Sequence, residues 1–147
     1  MITKKWISGI GEKELAQVHE IRRVVFMDEQ KVSVKEEMVA WEDEFSEHLI
    51  VYEGDMPVAT GRVMLHNGKY SLGRIAVLKE HRGKGLGRIV TATLIEKAFA
   101  MGAQDIEIHA QSYLVEFYRG FGFEICSEEY EEAGIMHFTM MLRKCRL

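Results

Sequence analysis

The N-terminal part of the chain has an apolar pattern of helical period. Four apolar residues recur at intervals of three or four positions and predict an amphipathic helix over about residues 12–30. They are Leu15, Val18, Ile21 and Val25. The next segment, residues 31–47, is a charged stretch that is rich in acidic residues. We expect this second segment to be helical in part, and to be mobile or to face a substrate.

The middle of the chain has the shorter apolar runs that are typical of strands. The pair Asn67 and Gly68 is a strong signal for a two-residue hairpin turn between two of these runs. We therefore predict strands over residues 48–52, 58–65 and 70–77.

A helical period returns at Gly85 and ends at Gly102, as expected where a glycine closes a helix. We then predict a strand at residues 105–109, a short helix at 112–119, strand structure from 122 and a last strand at 135–142. This order favours an α/β (α+β) domain in which a central mixed sheet is flanked by helices.

Length and composition indicate an ordinary soluble protein. The 147 residues favour a single domain over residues 1–147, and a net charge of −4 argues against non-specific nucleic-acid binding. No apolar run approaches the roughly 18 residues that span a membrane, and no signal peptide is apparent. Cys126 and Cys145 are too few for a disulfide framework or a four-ligand zinc site. We expect a cytoplasmic protein without a metal.

Glycines concentrate where a predicted strand feeds the second long helix. Six of the thirteen glycines lie between Gly61 and Gly87. Free N–H groups and the dipole at such a helix start favour an anion, and glycines let a phosphate approach the backbone. Three cations stand nearby, namely Arg82, Lys84 and Arg88. The segment fits neither the P-loop nor the dinucleotide fingerprint. A tight turn with solvated cations is the alternative.

This strand and loop resemble the GNAT superfamily of acyl-CoA-dependent N-acetyltransferases. The family signature Arg/Gln-x-x-Gly-x-Gly/Ala is matched by Arg82, Gly85 and Gly87. The resemblance implies the GNAT fold, with a mixed, mostly antiparallel sheet. It also implies acetyl-CoA as cosubstrate, its pyrophosphate on the loop amides and its pantetheine arm on the strand. The implied binding residues are Ile75, Ala76, Val77, Arg82, Gly83, Lys84, Gly85, Leu86, Gly87 and Arg88.

A second family feature lies downstream, where Tyr118 is followed by a Gly-Phe pair. The resemblance implies that Tyr118 is catalytic and close to the coenzyme sulfur. A phenol with an ordinary pKa of about 10 can donate a proton to a departing thiolate. Gln111 stands where the family usually has an asparagine, seven residues before the tyrosine, and is implied to contact the pantetheine arm. The alternative is that Tyr118 is a core aromatic beside Phe117 and Phe121.

The attacking amine must lose a proton, and the sequence leaves the acceptor of that proton open. Arg74 occupies the strand position where many relatives have a carboxylate. His109 can titrate near neutrality and is one candidate, with a structural role as the alternative. His66 adjoins the hairpin turn, and we expect it to be exposed.

The N-terminal half is similar to a bacterial subgroup of the family that includes the ElaA and YjcF-like proteins. The matching residues are Arg22 or Arg23, Phe26, Glu29, Gln30, Asp43 and His48. Ser46 stands three residues after Asp43, where members of the subgroup often have an acidic residue. The subgroup implies no particular acceptor. Several acids either attract a cationic amine or form a solvated face, namely Glu29, Glu42, Asp43, Glu44 and Glu47.

Our interpretation is an N-acyltransferase that moves an acetyl group from acetyl-CoA to an amine, preferably a small one, by direct attack in a ternary complex. A hydroxyl or a protein amine is an alternative acceptor. A coenzyme-A-binding sensor or interaction module without turnover is an alternative of another class. The final strands offer an edge that two subunits can share, which leaves a homodimer open.

Overall fold

The computed structural model describes residues 1–8 and 14–144 and shows one sheet of eight strands. The strands lie in the order β1-β2-β3-β4-β5-β8-β6, with β7 paired to β8. Every neighbouring pair is antiparallel except β4 and β5, which run parallel. The predicted mixed, mostly antiparallel sheet is therefore confirmed. The strands are β1 Ile2–Ser8, β2 Ser46–Glu53, β3 Met56–His66, β4 Lys69–Val77, β5 Asp105–Gln111, β6 Glu124–Ile125, β7 Tyr130–Glu132 and β8 Ile135–Arg143.

Helices cover both faces of this sheet. They are α1 Leu15–Arg22, α2 Val34–Glu37, α3 Ala40–Glu44, α4 Leu86–Ala100 and α5 Val115–Arg119. A π-helix at Arg23–Glu29 continues α1, and two 3-10 turns lie at Lys79–His81 and Ser112–Leu114. No helix in the described ranges is long and apolar enough to cross a membrane.

The alternation of side chains along the strands divides the core between the two faces. Leu49 and Val51 of β2 pack into the cluster that contains Leu94 of α4, whereas the intervening Ile50 packs with Val18 of α1. Successive strand residues point to opposite faces, so each face buries its own helix. The apolar period that predicted both long helices marks these buried positions.

Two features of the N-terminal region differ from the prediction. Strand β1 was not predicted, because only Ile7 among its residues is fully buried and its strand structure comes from pairing with β2. The predicted first helix changes at Arg23 into the wider π-helix, in which the Gln30 N–H donates to the Val25 carbonyl at 3.1 Å. Residues 12 and 13 of that prediction lie outside the described residues.

The parallel strands β4 and β5 separate soon after they meet. They pair only at Tyr70 with Ile106, Ser71 with Glu107 and Leu72 with Ile108. Beyond these positions each strand keeps its outer neighbour, β3 or β8. The sheet therefore splits, and a cleft opens between the ends of the two strands.

Candidate active site

The cleft at the split has a volume of about 980 Å³ and collects almost all the predicted site residues. Lys84 is the exception, because its ammonium group turns to the carboxylate of Glu53 at 3.2–3.3 Å. The predicted residues that line the cleft are Ile75, Ala76, Val77, Arg82, Gly83, Gly85, Leu86, Gly87, Arg88, Gln111 and Tyr118.

The glycine loop adopts a backbone that favours glycine at two positions. Gly83 and Gly85 have φ of +80° and +81°, a region that residues with a Cβ rarely enter. A Cβ at either glycine would meet no atom within 4 Å, so the space in front of the loop is open. The first bond of α4 runs from the Ile89 N–H to the Gly85 carbonyl at 3.1 Å. The N–H groups of Leu86 and Gly87 therefore lack an intrahelical acceptor.

Arg82 joins the glycine loop to the end of the π-helix. Its guanidinium donates to both carboxylate oxygens of Glu29, at 2.6 and 2.8 Å, and its Nε donates to the Val77 carbonyl at 3.0 Å. The hydrogen bond from Arg82 lowers the pKa of Glu29. The positive charge of Arg82 is therefore neutralised by this chain.

Gln30, the next residue along the chain, makes the corresponding bridge to β5. The Gln111 side-chain amide donates to Gln30 Oε1 at 3.0 Å. Adjacent residues Glu29 and Gln30 thus contact both sides of the cleft, one at the loop after β4 and the other at the end of β5. Glu29 is one of the five acids that the sequence offered as attractors of a cationic amine. In the structure its carboxylate pairs with Arg82 instead.

Tyr118 of α5 is a core aromatic residue that also lines the cleft. Its ring is 5% exposed and packs edge-on against Phe117 and Phe123. Its hydroxyl forms no hydrogen bond with the described residues, and the side chain lines the cleft. Burial raises the pKa of Tyr118, so the phenol stays protonated at neutral pH and retains a proton to donate.

A histidine flanked by two carboxylates lies on the β5 side of the cleft. His109 is 45% exposed, with Nδ1 3.2 Å from Glu132 and Nε2 3.0 Å from Glu107. The hydrogen bond with Glu132 raises the pKa of His109, against the effect of burial, and Glu107 adds to the rise. All three side chains line the cleft. This group can hold a proton near neutral pH.

A buried network of charges lies on the other side of the cleft. Arg22 is fully buried and donates to Glu37 and, at 2.7 Å, to Asp43 Oδ1. Arg62 donates to the same Asp43 oxygen at 2.9 Å. Burial acts to raise the pKa of Asp43, but the hydrogen bond with His19 and the charge of Arg22 outweigh it, so this pKa lies far below its ordinary value.

This network corrects the expectation for the acidic segment. Asp43 is 4% exposed and neutralised by arginines, so it is not available to attract an amine. Glu44 and Glu47 do not line the cleft, whereas Glu42 does. Sequence reasoning missed Glu37 and Arg62, because the apolar period does not show which charged residues a fold buries as pairs.

Two other histidines have structural surroundings. His66 is half-buried between the rings of Trp41 and Phe45, at centroid distances of 4.9 and 5.0 Å, so the prediction that it is exposed is wrong. His48 lies 3.2 Å from the Asp43 carbonyl, and burial lowers its pKa to about 4.

Cys126 is exposed and does not line the cleft, and Cys145 lies outside the described residues. Within residues 1–8 and 14–144, no group of potential ligands could hold a metal ion.

Comparison with known proteins identifies the family to which this architecture belongs. The family model described as "Acetyltransferase (GNAT) domain" matches residues 15–144. A Bacillus subtilis protein named "Uncharacterized N-acetyltransferase YjcF" is 40% identical over 138 residues, which cover 93% of this chain and 98% of that protein.

Solved structures share the fold. Escherichia coli ElaA has a TM-score of 0.83 at 24% identity, over 97% of this chain and 100% of that one. A Bacillus subtilis acetyltransferase solved in complex with CoA has a TM-score of 0.72 at 20% identity, over 99% and 100%. The family match and the identity to YjcF confirm the resemblance stated above: the chain belongs to the GNAT superfamily of N-acetyltransferases, enzymes of the acyltransferase class, and is similar to YjcF over nearly its whole length.

Proposed function

We propose that the protein transfers the acetyl group of acetyl-CoA to an amine by direct attack in a ternary complex. One observation carries the proposal: the split between β4 and β5 brings the glycine loop, unpaired strand backbone and the Tyr118 hydroxyl into one cleft. Acetyl-CoA supplies a thioester whose carbonyl carbon the amine attacks and whose sulfur leaves as a thiolate.

The glycine loop and β4 would hold this cosubstrate. The free N–H groups at the start of α4 suit a pyrophosphate, and the open space in front of Gly83 and Gly85 lets it approach. Beyond Leu72, the edge of β4 that faces β5 is unpaired. Its backbone at Ile75 and Ala76 can therefore bind an extended arm as a neighbouring strand would.

Tyr118 would donate a proton to the departing sulfur. Its raised pKa keeps the proton in place at neutral pH, and its hydroxyl has no competing partner among the described residues. His109 would accept the proton of the amine, directly or through a water molecule. Its flanking carboxylates Glu107 and Glu132 stabilise the imidazolium that results.

The decisive experiment measures thiol release with a panel of amines for Tyr118→Phe and for a matched control. Tyr52→Phe removes the same hydroxyl from a residue that donates to Gln17 at 2.5 Å and does not line the cleft. We expect Tyr118→Phe to lower kcat by about 100-fold or more, the range of general acid catalysis, with the KM for acetyl-CoA unchanged. Tyr52→Phe should retain the wild-type rate.

Thiol release, measured together with the stability of the protein in the presence of CoA, distinguishes an enzyme from a coenzyme sensor. CoA at 100 times its Kd should stabilise the fold by about 2.7 kcal/mol under either hypothesis. Stabilisation without thiol release from any amine would contradict the proposed reaction. Equal rates for wild type and Tyr118→Phe would remove Tyr118 from the mechanism.

A further inference from the structure

The cleft contains an arginine, Arg74, whose hydrogen-bonding capacity the described residues use only in part. Arg74 lies on β4 directly before Ile75, and its side chain is 27% exposed. We propose that Arg74 binds a carboxylate of the acceptor, so that the acceptor is an amine that also carries a carboxylate, as amino acids do. The inference rests on the proposed function, because it names the substrate class of the same cleft.

The guanidinium of Arg74 is held in place but is not saturated. Its Nη2 donates to the main-chain carbonyls of Glu36 and Glu37 at 3.2 and 3.3 Å. Its Nε lies 3.7 Å from Glu37 Oε1, too far for a hydrogen bond, and Nε and Glu37 Oε2 are both buried without a partner among the described residues. Nη1 makes no hydrogen bond with those residues either. A guanidinium has five N–H donors in a planar fork that fits a carboxylate.

The neighbouring arginines differ from Arg74 in this respect. Arg22 donates to Asp43, and Arg62 donates to Asp43 and, at 3.5 Å, to Glu42. Of the three guanidiniums, Arg74 alone has no hydrogen bond to a carboxylate among the described residues. Burial lowers the pKa of Arg62, and the positive charges of Arg74 and Arg22 lower it further. A bound anion beside Arg74 would relieve this repulsion.

The opposite side of the cleft suits the amine of such an acceptor. The hydrogen bond with His109 lowers the pKa of Glu132, and the charge of Arg74 contributes to the same shift. Arg74 and Glu132 are thus close enough to interact, yet they form no ion pair with each other. A zwitterion placed between them would set its carboxylate on Arg74 and its amine toward His109. The β4 backbone proposed to hold the thioester follows Arg74 directly.

The backbone at Arg74 also indicates a functional position. Arg74 has φ of +49°, a left-handed conformation that residues with a Cβ disfavour. It lies at the bulge where the pairing of β3 and β4 shifts register between Thr60 and Arg62. The bulge aims the side chain of Arg74 differently from a regular strand position. Strain that a fold retains is concentrated at functional sites.

The test compares acceptors that differ only in the carboxylate. Thiol release is measured for L-α-amino acids and β-alanine, each beside its primary amide, which keeps the amine and removes the negative charge. We expect at least one amino acid to exceed its amide in kcat/KM by about tenfold or more, the worth of a charge-assisted hydrogen bond.

Variants of Arg74 identify the group that recognises the carboxylate. Arg74→Asn removes the guanidinium and places a residue that tolerates left-handed backbone, whereas Arg74→Lys keeps the charge without the fork. Arg143→Gln, at the exposed end of β8, is the control. Arg74→Asn should lower kcat/KM for the preferred amino acid by about 10- to 100-fold, and so bring the ratio of kcat/KM between the amino acid and its amide close to one. For Arg74→Lys, we expect a kcat/KM for the preferred amino acid between those of wild type and Arg74→Asn.

Binding gives a readout that does not need turnover. Calorimetry with the N-acetyl derivative of the preferred amino acid, or of each amino acid when none reacts, should show binding that Arg74→Asn abolishes and Arg143→Gln preserves. If amides and simple alkylamines react as fast as amino acids, the carboxylate site is wrong and N-acetyl transfer stands. If no amine releases thiol while an N-acetyl amino acid binds through Arg74, the proposed reaction is wrong and the carboxylate site stands. Absence of any such binding overturns the inference.

Discussion

Alanine at Gly85 separates the structural role of the loop glycines from their role in binding. Gly85 precedes the first residue of α4 with φ of +81° and ψ of 13°, and a Cβ there would meet no atom within 4 Å. Gly85→Ala therefore introduces backbone strain without a clash. The added methyl group extends into the space where we place the pyrophosphate.

The size of each effect follows from this geometry. A left-handed conformation costs a residue with a Cβ about 1–2 kcal/mol, and the stiffer unfolded chain offsets about 0.4–1 kcal/mol of that loss. A net destabilisation of about 1 kcal/mol should lower the Tm by about 2–4 °C in a chain of this size. Loss of close approach at the loop should weaken CoA binding by about tenfold, which corresponds to about 1.4 kcal/mol.

Gly54→Ala is the matched control. Gly54 lies in the turn between β2 and β3 with φ of +62°, and a Cβ at this position would also meet no atom within 4 Å. It does not line the cleft. Differential scanning fluorimetry without ligand should give similar losses of Tm for both variants. Calorimetric titration with CoA should show weaker binding for Gly85→Ala alone. Wild-type CoA affinity in Gly85→Ala would refute the placement of the pyrophosphate at this loop.

Two further predictions concern charged groups. Glu132→Gln removes the largest cause of the raised pKa of His109, so the rise of kcat/KM with pH should move to lower pH. An unmoved profile would exclude His109 as the group that titrates. Asp43→Asn removes the negative charge that neutralises the buried guanidiniums of Arg22 and Arg62. The free energy of unfolding, measured by urea denaturation at pH 7, should therefore fall by about 3–5 kcal/mol. Because the folded-state pKa of Asp43 is lowered, its contribution is complete above about pH 4 and declines at more acid pH. Wild type should therefore lose more stability than Asp43→Asn between about pH 4 and pH 2; equal losses would contradict the assignment.

The sequence predicted best the parts of the fold that have a strong local signal. The apolar period predicted α4, and the Asn67-Gly68 pair marked the β3–β4 hairpin. Strand β1 could not be predicted, because its polar residues become a strand only through pairing with β2. The π-helix was equally hidden, since its residues continue the apolar face of an ordinary helix.

The sequence predicted the residues at one end of the cleft and missed most of those at the other end. The loop after β4 follows a short signature, and its residues line the cleft together. The other end, where we place the acceptor, is lined by side chains from distant elements, among them Glu37 of α2 and Arg62 of β3. Long-range ion pairs leave no spacing in the sequence, so these residues became visible only in three dimensions.

The short pairing of β4 with β5 has a mechanical consequence. The sheet consists of one half with strands β1–β4 and another half with strands β5–β8. Within the described residues, three residue pairs between β4 and β5 join these two halves. A ligand arm bound along the free edge of β4 would act as a partial extra strand wedged into the sheet. Binding would then stiffen a hinge between two half-sheets, and the affinity for the cosubstrate would depend on how far apart the fold holds them.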